Sequence, residues 1–125
     1  MKIELDTHAD NQYRIDGYEK GRVSINKEIY TASVILTPDK LDPEWPPQSF
    51  DDLAMQHMEQ LLEFDPEIIL LGTGAKLLFP ASDMLADIQC RHIGIEVMDT
   101  GAACRCYNLL ASEERKVVAG LIMIR

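Results

Sequence analysis

Glu67-Ile68-Ile69-Leu70-Leu71-Gly72-Thr73-Gly74 is the stretch that decides the fold. Four consecutive large aliphatic residues leave no side chain to face water. A strand sends successive side chains to opposite faces, so an unbroken apolar run describes a strand covered on both of them. Gly72-Thr73-Gly74 then supplies a tight exit, where glycine permits backbone angles closed to other residues. Strands of this kind belong to parallel sheets sandwiched between helices.

Reading outward toward the C-terminus, Pro80-Ala81-Ser82-Asp83 starts a helix that runs to about Cys90, with Met84, Leu85 and Ile88 inward. Ile93 to Met98 reads as a second strand, and Asp99-Thr100-Gly101 leads into a helix over Ala102 to Ser112. The β-branched segment from Lys116 to Ile124 closes the sheet. Strand, helix, strand, helix, strand predicts an α/β core, and right-handed crossovers make 68–71 and 93–98 parallel.

Toward the N-terminus, Ser49 opens a helix whose apolar face is Phe50, Leu53, Ala54, Met58, Leu61 and Leu62, stopped by Asp65-Pro66. Residues 37–48 form a proline-rich loop. Before it, Tyr13–Ile15, Arg22–Ile25 and Ile29–Leu36 are β-rich, with Gly17, Gly21 and Asn26-Lys27 at the turns between them. They predict an N-terminal antiparallel β unit that extends or covers the sheet. Residues 1–11 are polar and expected to be loose.

A chain of 125 residues fits one domain, here spanning 1–125. Its 46% hydrophobic content excludes disorder as the main state, and no apolar run is long enough for a membrane helix. A net charge of −9 without a basic cluster repels phosphate backbones, which excludes nucleic acid as a partner. The segment MKIELDTHADNQ has neither a signal-peptide nor a transit-peptide character, and three cysteines suit reduced thiols; both features predict a cytoplasmic protein.

Several short motifs carry chemistry elsewhere. Gly72-Thr73-Gly74 follows a buried strand as dinucleotide loops do, but Leu77 stands where the third glycine belongs and Pro80 intervenes before the helix. Asp99-Thr100-Gly101-Ala102 matches the aspartic-protease tetrapeptide, yet only 24 residues follow Gly101, too few for the rest of such a lobe. Its simpler role is a helix cap by Asp99 or Thr100. Cys90-Arg-His92 and Cys104-Arg-Cys106 offer zinc-type donors. On a helix, however, Cys104 and Cys106 stand about 200° apart and cannot share a metal. No metal and no cofactor are expected. Cys106 would point inward with Ala103, Leu109 and Leu110. Cys104, near a helix N-terminus and beside Arg105, could be an activated thiol if His57 or His92 served as base. His57, on an apolar helix face, reads better as a core histidine.

Both βα turns should emerge at the C-terminal edge of adjacent parallel strands, where open α/β sheets bind ligands. Gly72, Thr73, Gly74, Lys76, Asp99, Thr100, Arg105 and Asn108 could line a cleft there. Trp45, the only tryptophan, sits among Pro43, Pro46 and Pro47 and could anchor a protein partner or lid the core.

The residues Leu71-Gly72-Thr73-Gly74, Phe79-Pro80, Gly94 to Thr100, Ala102-Ala103-Cys104-Arg105, Tyr107-Asn108 and Arg115 together resemble one family. It is the small uncharacterised family that includes mitochondrial respiratory complex I assembly factor 3 and the adipogenesis-associated domain proteins. The resemblance implies a three-layer α/β domain with a central mixed sheet and no established activity, its members looking like assembly or scaffold proteins. The chain departs at Cys106, where that family usually has threonine, and at Glu114, where it usually has glycine before Arg115. Paired catalytic carboxylates, a nucleophilic triad and a complete phosphate loop are all missing. The expectation is a non-enzymatic binding or assembly protein with an unidentified protein partner. The alternative is a small-ligand protein, possibly catalytic, using the cleft at the two turns.

Overall fold

Strands β1 (Ile15–Glu19), β2 (Arg22–Ile25) and β3 (Glu28–Tyr30) make an antiparallel sheet in the order β1-β2-β3. This comes from a computed structural model that describes residues 12–125, so the expectation of a loose segment at 1–11 lies outside the described residues. Asn26 and Lys27 join β2 to β3 with φ of 48° and 70°, the paired left-handed angles that match strand twist in a two-residue hairpin. Gly17 is not at a turn. It lies within β1, where the register shifts between Ile15 and Gly17.

The apolar run Ile29–Leu36 is two strands rather than one. After Tyr30 the chain leaves the small sheet, and β4 (Val34–Leu36) enters a second sheet as a fully buried strand. The break is held at Ser33, whose N–H donates to the Gln48 side chain and whose carbonyl accepts from the Trp45 N–H. With β5 (Leu41–Asp42), β6 (Ile68–Gly72), β7 (Gly94–Met98) and β8 (Val117–Leu121), the second sheet has the order β5-β4-β8-β6-β7. β6 pairs in parallel with both β7 and β8, and β4 is antiparallel to β8. The sheet is therefore mixed, with β8 at its centre.

Helices α1 (Met55–Leu62), α2 (Ser82–Cys90) and α3 (Thr100–Ser112) complete the chain. Strand alternation sorts the core into two halves. Leu70, Ala119 and Leu121 face α3 and the small sheet, packing on Val23, Ile25, Cys104 and Tyr107. Ile69, Leu71 and Val118 face α1 and α2, packing on Met58, Leu61 and Ile88. Three layers result, with β6 buried on both sides.

Ser49 does not open a helix. Phe50–Asp52 form a single 3₁₀ turn, the chain extends through Leu53 and Ala54, and α1 begins at Met55. His57 fixes that start: its Nδ1 accepts the Ala54 N–H at 3.0 Å while its own N–H donates to the Ala54 carbonyl at 2.9 Å. The histidine is buried in a capping role, not poised as a base.

Trp45 is core and not an exposed anchor, which corrects its assignment to a partner surface. The ring is 0% exposed, packs with Met58, Leu61 and Ile122, and donates its indole N–H to the His57 carbonyl at 3.2 Å. The flanking prolines hold the loop so that the ring points down onto β8 rather than out to solvent.

Candidate functional site

The two βα turns meet at the C-terminal edge of β6 and β7, and Thr100 ties them together. Its Oγ1, fully buried, accepts the Gly74 N–H at 2.8 Å and donates to the Ile122 carbonyl at 2.5 Å. Its own N–H donates to the Gly74 carbonyl at 2.9 Å. Thr73 behaves alike: its Oγ1 donates to the Lys76 carbonyl at 2.5 Å and accepts the Leu78 N–H at 3.2 Å. Gly72 is required here, because a β-carbon would stand 2.9 Å from Thr100 Oγ1 and 3.1 Å from Thr100 Cα. Asp99 caps α3, accepting the Ala102 N–H at 2.9 Å. The donor protons of both hydroxyls and of the Gly74 N–H are thus spent within the fold, and Thr100 is buried.

Of the remaining residues of the expected cleft, Lys76 stays beside these turns while Arg105 and Asn108 lie apart. Thr73, Gly74 and Lys76 border a shallow recess of about 300 Å³ with Phe50 and Arg125. Arg105 and Asn108 border a different recess of about 170 Å³ with Tyr18. Asn108 clamps β1 at two points, accepting the Ile15 N–H at 2.9 Å and donating to the Ile15 carbonyl at 2.8 Å. Arg105 donates to the Tyr18 hydroxyl and lies over that ring, 6.0 Å from its centroid. Five of the eight residues thus divide between two recesses, Gly72, Asp99 and Thr100 border neither, and several of the eight hold the fold together.

Cys104 points into the core between α3 and the sheet. Burial pushes its thiol up to about 12, against the weaker opposing pull of Arg105, so it is no activated nucleophile. Cys106, expected inward, is only half-buried, and Leu109 is exposed. The helix starts at Thr100, and its inner stripe is Thr100, Ala103, Cys104, Tyr107 and Ala111. Among the described residues no group of three or more His, Cys, Asp or Glu side chains could hold a metal ion.

Two features escaped the sequence reasoning. A recess of about 490 Å³ lies at the opposite edge of the parallel strands, bordered by Lys40, Phe64, Pro66, Arg115 and Lys116. Four separate stretches build it, so no motif announces it. The second feature had a signal. Leu77, Leu78 and Phe79 stand 50%, 41% and 66% exposed on the loop between β6 and α2. An apolar triplet between a glycine turn and Pro80 has no role in a helix or a strand, and that mismatch marks a surface feature.

Comparison with known proteins gives this geometry a context. The family described as "Protein of unknown function (DUF498/DUF598)" matches residues 15–122. The chain belongs to this family. The DUF498/DUF598 relatives include the "13 kDa major membrane protein" of Francisella tularensis, 33% identical over 80% of this chain and 82% of that protein. They also include an NADH dehydrogenase [ubiquinone] 1 alpha subcomplex assembly factor 3 from Danio rerio, 33% identical over 75% of this chain. The match spans 54% of that assembly factor's length. An NMR structure from Xanthomonas campestris is 40% identical, covers 93% of this chain and 88% of its own, and superposes with a TM-score of 0.82. The resemblance read from the C-terminal motifs is therefore to this family, and the mixed-sheet α/β fold is the family's. Among the described residues no helix is long and apolar enough to cross a membrane, although one relative carries a membrane protein's name.

Proposed function

We propose that this DUF498/DUF598 chain is a non-enzymatic binding protein that acts in assembling larger protein complexes. The observation that carries the reading is the Leu77-Leu78-Phe79 loop, three consecutive large apolar side chains held in solvent beside two turns whose hydroxyls are bonded within the fold. Contiguous exposed apolar surface is costly unless something covers it, and a protein surface does so by shape and burial without any reacting group. The assembly-factor name of the Danio rerio relative supports the same reading. Free thiols at Cys90, Cys104 and Cys106 suit a reducing compartment, so the proposal places the protein in the cytoplasm. Against a single ligand cleft, Thr73, Gly74 and Lys76 border one recess and Arg105 and Asn108 another.

The test is affinity capture from native lysate with mass spectrometry, comparing the wild type with a Leu77→Ser, Phe79→Ser double variant of matched stability. Proteins retained by the wild type and released by the variant are the expected result. Identical retained proteins in both, or a stoichiometric small molecule in place of any protein, would remove the reading.

A further inference from the structure

The five-stranded sheet ends in two unlike edges. On one side β5 is two residues long and runs directly into Pro43, which cannot donate to a ladder, so that edge is blunt. On the other side β7 runs five residues with an unbroken register against β6, from Ile68↔Gly94 to Gly72↔Met98. It contains no proline, lysine or bulge.

Backbone direction follows from the ladder. The Gly94 N–H donates to the Glu67 carbonyl, and the Met98 carbonyl accepts from the Thr73 N–H. In a parallel pair alternate residues turn both polar groups the same way, so Gly94, Glu96 and Met98 face β6. Ile95 and Val97 therefore present their N–H and C=O groups outward, and among the described residues no strand pairs with them. Their side chains pack with the α1–α2 layer yet remain half-buried, because the sheet stops there.

Glu96 stands between them on the opposite face, exposed, across from buried Leu70, and among the described residues no cation reaches it. This charge selects the occupant. A second copy paired antiparallel along the whole of β7 would set Ile95 opposite Val97 and Glu96 opposite Glu96, two like charges directly across a ladder. A foreign strand with a cation at that position would gain the pairing that a second copy forfeits.

We propose that the free edge of β7 accepts an extended segment of another protein, with a lysine or arginine opposite Glu96 and apolar side chains opposite Ile95 and Val97. Strand addition of this kind takes affinity from main-chain hydrogen bonds and specificity from alternate side chains. The proposal rests on the reading of the chain as a binding protein, but it uses a surface separate from the Leu77–Phe79 loop.

The probe is a macrocyclic β-hairpin with one strand reading Thr-Val-Lys-Val-Thr, and a twin with Glu in place of Lys. Amide exchange and chemical shifts of the isotope-labelled protein are followed at low salt, with the 77–79 loop intact throughout. The Lys hairpin should slow exchange at Ile95 and Val97 by about tenfold or more and leave the core amides unchanged. Glu96→Lys should reverse the preference between the twins, and Glu96→Gln should abolish it. No response at Ile95 and Val97 to either hairpin overturns the proposal. So does equal binding of the twins, and so does protection of both amides in the free protein that grows with its own concentration. Failure of the loop variant in lysate capture leaves these readouts untouched, so the two readings fail separately.

Discussion

A β-carbon built on Gly120 would stand 2.7 Å from Cη2 of Trp45, so the glycine of the central strand is where the indole lands. Leu61 closes the same site, with its Cδ1 3.2 Å from that point. Removing the ring leaves a void over β8. Trp45→Ala should therefore cost about 3–5 kcal/mol, read as a lowered midpoint in equilibrium urea unfolding with an unchanged slope. A loss below about 1 kcal/mol would mean that the ring is not core.

The turns at the sheet edge rank in an unintuitive order. Asp99 is the recognisable cap, and Asp99→Ala should cost about 0.5–2 kcal/mol. Thr100→Val keeps the shape of its residue but strands the buried Gly74 N–H and Ile122 carbonyl, each worth about 1–3 kcal/mol when left unpaired. The valine variant should be the less stable of the two in the same denaturation series. The reverse order would place the bridging hydroxyl outside the fold's support.

Glu114 holds φ of 62° at the end of α3. The Arg115 N–H reaches the Leu110 carbonyl at 3.1 Å and the Glu114 N–H reaches the Ala111 carbonyl at 3.0 Å, the paired bonds of a Schellman ending. The residue that such an ending prefers at this position is glycine, and the family resemblance has glycine there. Glu114→Gly relieves about 1–2 kcal/mol of left-handed strain and gives back part of it as unfolded-chain entropy. A net gain of up to about 1 kcal/mol is expected, seen as a thermal midpoint raised by a few degrees.

Glu67 links the start of β6 to the start of β8. Its carboxylate accepts the Lys116 N–H at 3.0 Å and lies 3.2 Å from Arg115 Nε. The Lys116 backbone bond above all, helped by the Arg115 charge, holds the carboxyl below the usual glutamate range against the opposing effect of desolvation. A depressed folded value means stabilisation that is present above the unfolded value and is lost as pH falls through the folded one. Glu67→Gln should thus be less stable than the wild type near neutral pH, with the two curves converging in acid. Unfolding free energies of both proteins from about pH 7 to about pH 2 check this, and a gap independent of pH would rule it out.

What could be read in advance had local causes. Ile69 and Leu71 on one face and Leu70 on the other were evident in the unbroken run, since period two leaves no alternative. The Asp99 cap was evident because capping is decided within three residues. The missed features depended on distant partners. Nothing near Ile29–Leu36 reveals that the strand divides, because the division is held by Gln48 and Trp45. Trp45 among prolines looks the same whether its ring turns toward β8 or solvent, and Gly120 settles the direction from 75 residues away. Cys104 rather than Cys106 takes the deepest place on α3, with Cys106 half-buried at the edge of the same core, because the face a helix buries is chosen by the sheet and the strands it packs against.

The position of β8 between β4 and β6 sets a timetable for synthesis. Both neighbours leave the ribosome well before Val117–Leu121, and each then carries a bare hydrogen-bonding edge and an uncovered apolar face. Neither can use the other, because the strand that joins them has not been made. The sheet is therefore expected to close late and over long separations, when the five-residue strand between them becomes available. A stop before Val117 would leave β4 and β6 without the strand that joins them.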